Sequence, residues 1–381
     1  MKSVVILSPA HPLRGGIASS SERLAQEFQQ FGYSVEIWSF KFQYPGFLFP
    51  GKTQFSSDPA PKDLKIRTLI HSISPLNWLN VGRKLKKQKP DLIVLRYWLP
   101  FMGPALGSIL RIARKNQHSR IICIADNIIP HEKRPGDMLF TRYFVPAVDA
   151  FIGMSKSVTE EIASFQPKGP IAFSPHPLYD NYGQAAGREA SLSKLGLDPG
   201  FRYLLFFGFI RDYKGLDLLL DALADPRLAK LPIKLIVAGE YYSNAEKYEK
   251  QIETLGIKDR LVLHTRYIPN EDVRYYFGAS DLVVQPYRSA TVSGISQMAY
   301  FYEIPMVVTN VGGLPEIVPH GEAGYVTAVD PTEVASAVYD YFSKDRMAEF
   351  QEGVRKNKKR FAWSAMVETM EDLASKIEKP K

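Results

Sequence analysis

The sequence predicts an α/β protein of parallel sheets, organised as two similar-sized halves. Three observations predict it. Short apolar runs alternate with helical stretches from end to end, as in chains of βαβ units. Those runs are continuous rather than alternating, which is the pattern of strands buried on both faces. The rhythm breaks once, over SPHPLYDNYGQAAGREASLSKLGLDPG at 174–200, a stretch rich in Pro, Gly and polar residues. A chain of 381 residues also exceeds what a single core usually holds.

In the first half the strands are expected at 4–7, 35–38, 66–70, 92–95, 121–125 and 150–152. Helical patterns at 17–31, 78–87, 101–115 and 156–165 come between them. A second series begins at 203–207 and continues at 233–238, 261–263, 282–285, 306–309 and 325–327. The end, 346–379, is helical with alternating charges. The expectation is two Rossmann-like α/β domains around a linker, with ligand bound beyond the carboxyl ends of strands, in the interdomain cleft.

Composition excludes several classes. Cys123 is alone, so no disulfide framework or cysteine metal motif is expected, and a reducing cytoplasm fits. The opening MKSVVILSPAHPLRGG has too short an apolar run for a signal peptide, and no run of 18 apolar residues exists. Residues 1–175 carry 23 Lys and Arg against 12 Asp and Glu, net +11, against −3 for the remainder of a chain whose total is +8. A basic first half raises peripheral contact with the inner face of the cell membrane as an expectation, beside a merely solvated surface. The cluster Arg83-Lys84-Leu85-Lys86-Lys87-Gln88-Lys89 lacks interleaved aromatics, so no nucleic-acid partner is expected.

GFLFPGKT, Gly46 to Thr53, matches the phosphate-loop pattern letter for letter. The physics does not follow. Pro50 offers no N–H, bulky Phe47 and Phe49 resist positive φ, and two prolines stand where a helix should begin. The segment reads instead as a lid, an acceptor-facing loop or a structural insertion. No G-x-G-x-x-G follows the first strand either; Gly15-Gly16 stands before a helix, where backbone N–H groups could meet a phosphate.

Three segments of the second half suit an anion-and-sugar site. In GFIRDYKGLDLLLDAL, Arg211 and Lys214 follow a strand directly and are placed to neutralise a diphosphate leaving group. In VVQPYRSATVSGISQMAY, a loop of small residues including Thr291, Ser293 and Gly294 opens a helix near Ile295. In PMVVTNVGGLPEIVPHGEAGYV, a strand ends in Gly312-Gly313, with Pro315 and Glu316 at a helix start.

Together with Gly15-Gly16, Gly208, Ala238-Gly239-Glu240, Pro286 and Phe361-Ala362-Trp363, these segments resemble the retaining nucleotide-sugar glycosyltransferases of family 4. The resemblance runs over most of the chain. It implies the GT-B fold, with an acceptor-side domain at 1–173, a linker region at 174–200, a nucleotide-sugar domain at 201–362 and a final helix at 363–381 crossing back to the first domain. It implies a nucleotide-sugar donor, a glycan or lipid-linked acceptor in polysaccharide or cell-envelope assembly, retention of configuration, and no cofactor or metal. Arg211 and Lys214 would hold the donor diphosphate, with backbone donors around Ser293, Gly294 and Ile295. Gly16 would let the first domain close on the same phosphates, and 266–269, with Ile268, would flank the base. Asp126 and His131 follow the strand whose end carries a sugar-contacting His in relatives.

Two departures stand out. The family's two glutamates, eight positions apart, are here Ala290 and Met298, and no acidic residue lies between Asp281 and Glu303. A subset of the family has an S-A-T-x-S-G loop here. Gln297 is placed to meet a ribose hydroxyl with its amide. Asp126 stands where His is common, leaving His131 as the nearby imidazole, either in contact with donor or acceptor or structural. The alternatives are a non-catalytic nucleotide-sugar binding protein of the same fold, or a nucleotide-sugar 2-epimerase.

Overall fold

The computed structural model describes residues 2–45, 53–56, 59–130, 134–242, 245–290 and 293–377. The chain forms two units: Met1–Pro175 with Ala362–Lys381, and His176–Phe361.

Unit 1 is built from β1 (Ser3–Leu7), α1 (Gly16–Gln30), β2 (Ser34–Phe42), β3 (Ile66–His71), α2 (Pro75–Gln88), β4 (Leu92–Tyr97) and α3 (Gly103–Arg114). It continues with β5 (Arg120–Ala125), α4 (Asp137–Phe144), β6 (Ala150–Gly153), α5 (Lys156–Ser164) and β7 (Ile171–Phe173). The strands form one parallel sheet in the order β3-β2-β1-β4-β5-β6-β7. All six expected strands reach a residue or more beyond their apolar runs at one end or both, because ladder pairing extends past the apolar stretch. The short edge strand β7 carries no buried residue, so it has no apolar signature to find.

Unit 2 begins with α6 (Arg188–Leu195), inside the stretch expected to link the domains. The reason is packing: Tyr179, Tyr182 and Leu192 are buried in the unit 2 core, and α6 lies against Gly278, where a Cβ would meet Ser191 and the Ala186 carbonyl. Then follow β8 (Arg202–Phe207), α7 (Leu216–Leu223), α8 (Pro226–Ala229), β9 (Ile233–Ala238), α9 (Glu246–Leu255) and β10 (Leu261–His264). α10 (Val273–Ala279), β11 (Leu282–Gln285), α11 (Gly294–Phe301), β12 (Met306–Thr309), α12 (Leu314–Ile317), β13 (Gly324–Thr327), α13 (Pro331–Ser343) and α14 (Met347–Lys358) complete it. Its parallel sheet has the order β10-β9-β8-β11-β12-β13. Alternate residues of β8 enter opposite cores: Leu205 and Phe207 on one face, Leu204 and Phe206 on the other.

The last helix, α15 (Trp363–Lys376), belongs to unit 1. It buries Trp363, Met366, Val367, Met370 and Leu373, a stripe at helical spacing. The Arg23 guanidinium on α1 lies 5.5 Å from the Trp363 ring centroid, and the Tyr33 hydroxyl donates to Glu371 at 2.5 Å. Each sheet therefore has the doubly wound order in which the first strand of the unit meets a strand from its second half. In unit 1 that switch point is β1/β4, and in unit 2 it is β8/β11.

Candidate functional site

The switch point of unit 2 gathers most of the donor-side residues expected from the sequence. After β8 the chain turns at Gly208, whose N–H donates to the Ala238 carbonyl at 2.9 Å. The loops after β8 and β9 are then stitched together: Ile210 N–H to the Glu240 carbonyl at 2.8 Å, and Tyr242 N–H to the Ile210 carbonyl at 2.9 Å. Only glycine fits at 239, since a Cβ there would collide with the Gly208 carbonyl. Likewise Gly215, at φ 67°, presses on the Pro286 carbonyl and fixes the turn after β8 against the end of β11.

Arg211 and Lys214 stand on this turn. The Arg211 guanidinium lies 3.9 Å from the Tyr242 ring centroid, and the Lys214 ammonium 5.7 Å from that of Tyr287. Neither forms an ion pair among the described residues. The acidic groups of the same turn are taken elsewhere: Asp212 pairs with Lys247, and Asp217 with Arg288 at 2.6 Å. Aromatic faces thus hold both cations without neutralising them. Burial, with the Arg211 charge beside it, pulls the Lys214 ammonium down to about 8.

Helix α11 meets the same point. A Cβ built on Gly208 would lie 3.1 Å from the Lys214 Nζ and 3.5 Å from the Ile295 Cδ1, so the turn after β8 and the first turn of α11 share one space. No side chain caps α11 and no acidic residue stands in its first turn. Ser293 is turned away from capping because its hydroxyl donates to the buried Gln285 Oε1 at 2.6 Å. Gln285 is held further by Ser296, at 3.0 Å from its amide nitrogen. Gly294 packs directly on the Tyr179 ring. The first N–H groups of α11 carry the positive end of the helix dipole next to two cations. The arrangement can bind a di-anion.

Other expected residues fall elsewhere. Ile268 follows β10 and is buried in the unit 2 core. Glu240 borders the site through its carbonyl. Gln297 is 0% exposed, and neither amide atom makes a hydrogen bond among the described residues. Thr291 and His131 lie outside the described residues. Gly15 and Gly16 open α1 after β1, at the switch point of unit 1; Gly15 has φ 115°, and no side chain caps the helix. Asp126, directly after β5, is not left open. Both of its oxygens are engaged by Arg96, Nε to Oδ2 at 3.0 Å and Nη2 to Oδ1. Arg96 is 3% exposed and also donates to the Ser20 hydroxyl at 2.6 Å.

Sequence reasoning passed over Arg96, Tyr242 and Tyr287. An arginine inside the apolar run LIVLRY was the available signal, because a buried guanidinium requires a carboxylate. Around the phosphate-loop pattern, 46–52 lie outside the described residues. Just after them, Arg14 N–H donates to the Gln54 carbonyl at 3.0 Å and Leu13 bridges Phe55 antiparallel, where a phosphate loop would start a helix. Among the described residues no three His, Cys, Asp or Glu side chains gather as a metal site.

Comparison with known proteins bears on the same region. The family described as "Glycosyl transferases group 1" matches residues 201–344, most of unit 2. The chain is similar to spore coat protein SA of Bacillus subtilis (strain 168), 24% identical over 319 residues, 79% of this chain and 76% of that protein. It is also similar to a D-inositol 3-phosphate glycosyltransferase of Segniliparus rotundus, 32% identical over 140 residues. That match covers 36% of this chain and only 31% of the relative. Among solved structures, Anabaena Alr3699/HepE in complex with UDP has the same fold: TM-score 0.72 at 17% identity, covering 98% of this chain and 100% of that one. The expected architecture of two Rossmann-like domains is therefore observed as the GT-B fold. The family match falls in unit 2, and the fold over the whole chain is that of the GT-B structures.

Proposed function

We propose that the protein transfers a hexose from a nucleoside-diphosphate sugar to a glycan or lipid-linked acceptor, with retention of configuration. One observation carries the reading: Arg211 and Lys214, both without ion pairs among the described residues, stand beside the uncapped start of α11 at the β8/β11 switch point. The diphosphate of the donor lies there. Arg211 and Lys214 take up the charge that grows on the leaving diphosphate as the glycosidic bond breaks, and the α11 N–H groups add fixed donors. Attack from the face the nucleotide leaves needs this stabilisation and close positioning more than a protein nucleophile. That suits a segment with no carboxylate between Asp281 and Glu303. UDP is the first nucleotide to try, since the fold neighbour was solved with UDP and, in another crystal, with UDP-glucose.

The residues 266–269 flank the base in this reading. Asp126 serves through Arg96 rather than by binding a sugar hydroxyl with a free oxygen, because both oxygens are already occupied. No cofactor or metal is part of the proposal.

Calorimetric titration of UDP, GDP, ADP and TDP, then of their sugar conjugates, tests it. Binding that disappears in Arg211→Ala/Lys214→Ala, joined by release of nucleotide from one conjugate when acceptor is supplied, is the expected result. Wild-type binding left intact in the double variant would overturn the assignment. The missing carboxylates favour one second reading, a protein that binds a nucleotide sugar without transferring it. Donor binding with no turnover across an acceptor panel distinguishes the two.

A further inference from the structure

The cradle at the unit 2 switch point is built from groups that repel one another. Arg211 and Lys214 share the turn after β8, and the uncapped start of α11 sets a positive pole beside them. Like charges gathered at one point push apart the elements that carry them. A site of this kind needs a tie that is not itself spent on the ligand. Arg288, three residues after β11, has the bonds of such a tie.

Arg288 belongs to the segment that leads from β11 to α11, and its bonds cross to the turn after β8. Its backbone N–H donates to the Tyr213 carbonyl at 2.7 Å. Nη1 donates to the Asp212 carbonyl at 3.0 Å and to Asp217 Oδ1 at 2.8 Å, and Nη2 donates to Asp217 Oδ2 at 2.6 Å. Asp212 and Tyr213 lie between Arg211 and Lys214 in the chain, and Asp217 stands in the first turn of α7. One planar fork therefore grips both the turn and the helix that follows it. The residues before it continue the contact. Tyr287 carries Lys214 on its face and meets the Tyr213 ring edge-on at 6.1 Å, while the Pro286 carbonyl presses on Gly215. At its far end the same segment is tied down by the Ser293 hydroxyl on Gln285. The Arg288 and Asp217 side chains are 40% and 30% exposed, and a pair so open to water adds little to stability. Holding the fold together does not account for it.

We propose that Arg288 is a positioning residue for the donor diphosphate: with Asp217 it clamps the segment that opens α11 onto the turn that carries Arg211 and Lys214. The clamp sets the spacing between the two halves of the phosphate cradle. Arg288 does not act on the phosphates itself, because its guanidinium is already taken by Asp217 and the Asp212 carbonyl. The inference rests on the sugar-transfer reading above and names what holds that site in shape. It also fixes a sign. Asp217 is a carboxylate next to an anion site, so by charge alone its removal strengthens the binding of a di-anion. If Asp217 is the anchor of the clamp, its removal weakens that binding. A lysine at 288 separates the same alternatives, since it keeps the charge and loses the fork.

Calorimetric titration of the full chain tests it, with whichever of UDP, GDP, ADP and TDP the wild type binds. Asp217→Ala is expected to weaken binding by about tenfold or more, and Arg288→Lys by about as much, because two binding elements lose their spacing. Arg288→Lys/Asp217→Ala binds within about twofold of the weaker single variant, as two halves of one device do. Glu189→Ala removes an exposed carboxylate from the first turn of α6 and leaves affinity within about twofold. Denaturation midpoints stay at the wild-type value, the pair being exposed. Affinity kept or raised in Asp217→Ala, or kept in Arg288→Lys, overturns the clamp. So does a midpoint that falls in step with affinity, which would make the pair a general support of unit 2. Failure of the underlying reading looks different: Arg211→Ala/Lys214→Ala then keeps wild-type affinity, or no nucleoside diphosphate binds, and both proposals fall together.

Discussion

The two units share a strand order and treat the cation at their switch points in opposite ways. In unit 1, Arg96 on β4 is buried and neutralised by Asp126, with Ser20 taking a further N–H. In unit 2, Arg211 and Lys214 after β8 rest on Tyr242 and Tyr287 while the nearby carboxylates pair with other partners. A carboxylate partner satisfies a buried charge and uses it up; an aromatic face supports the charge and leaves it available to a ligand. The first arrangement holds a structure together. The second is the one proposed to receive an anion.

The largest expected effect breaks the comparison on the unit 2 side. Arg211→Ala/Lys214→Ala removes two charge-assisted contacts and weakens nucleoside-diphosphate binding by about a hundredfold to ten-thousandfold, measured by calorimetry, with the denaturation midpoint unmoved. On the unit 1 side the outcome reverses. Asp126→Ala strands the buried Arg96 and costs about 3–5 kcal/mol of stability by chemical denaturation. Nucleotide affinity of the protein that remains folded is unchanged, and replacing Arg96 by Met in the same chain recovers most of the loss. If Asp126→Ala is no less stable than wild type, the contrast between the units fails.

A smaller effect concerns pH. Because the free Lys214 ammonium titrates at about 8, it is charged below that pH and binding is complete there. Above it, the protein must take up a proton to bind, so affinity falls by up to about tenfold per pH unit until the raised pKa of the complex is passed. Calorimetry at pH 7 and 9 should show that decline in wild type, and Lys214→Arg should flatten it. The smallest expected effect tests the support beneath α11. Ser293→Ala leaves the buried Gln285 Oε1 with one donor fewer and costs about 1 kcal/mol in denaturation midpoint analysis.

Much of the fold was legible because its strands announce themselves. The runs at 233–238, 282–285 and 306–309 are buried on both faces and coincide with β9, β11 and β12. The elements that were missed lack that signal: β7 is an unburied edge strand, and α6 sits in a Pro- and Gly-rich stretch that only α10 and α11 complete, Ser191 lying at Gly278 and Tyr179 at Gly294. In the site, Arg211, Lys214, Gly208, Ser293, Gly294 and Ile295 could be named because each follows a strand end in a turn with Gly or small residues. Their aromatic supports could not, since Tyr242 and Tyr287 meet the cations only after three strands have been placed side by side.

Gln297 shows the limit from the other direction. Its chemistry suits a ribose hydroxyl, yet its side chain is fully buried, and nothing in the residue letters distinguishes the inner from the outer side of an eight-residue helix that is apolar nearly all round. Residue type and spacing, read alone, determined two parallel α/β units and pointed to the cations and glycines of the proposed anion site, because hydrophobic periodicity and turn chemistry are local. Which charges remain free was decided by the tertiary structure alone. A carboxylate neutralises whichever cation the folded backbone brings within reach, and Asp126 reached Arg96 while Asp212 and Asp217 reached Lys247 and Arg288.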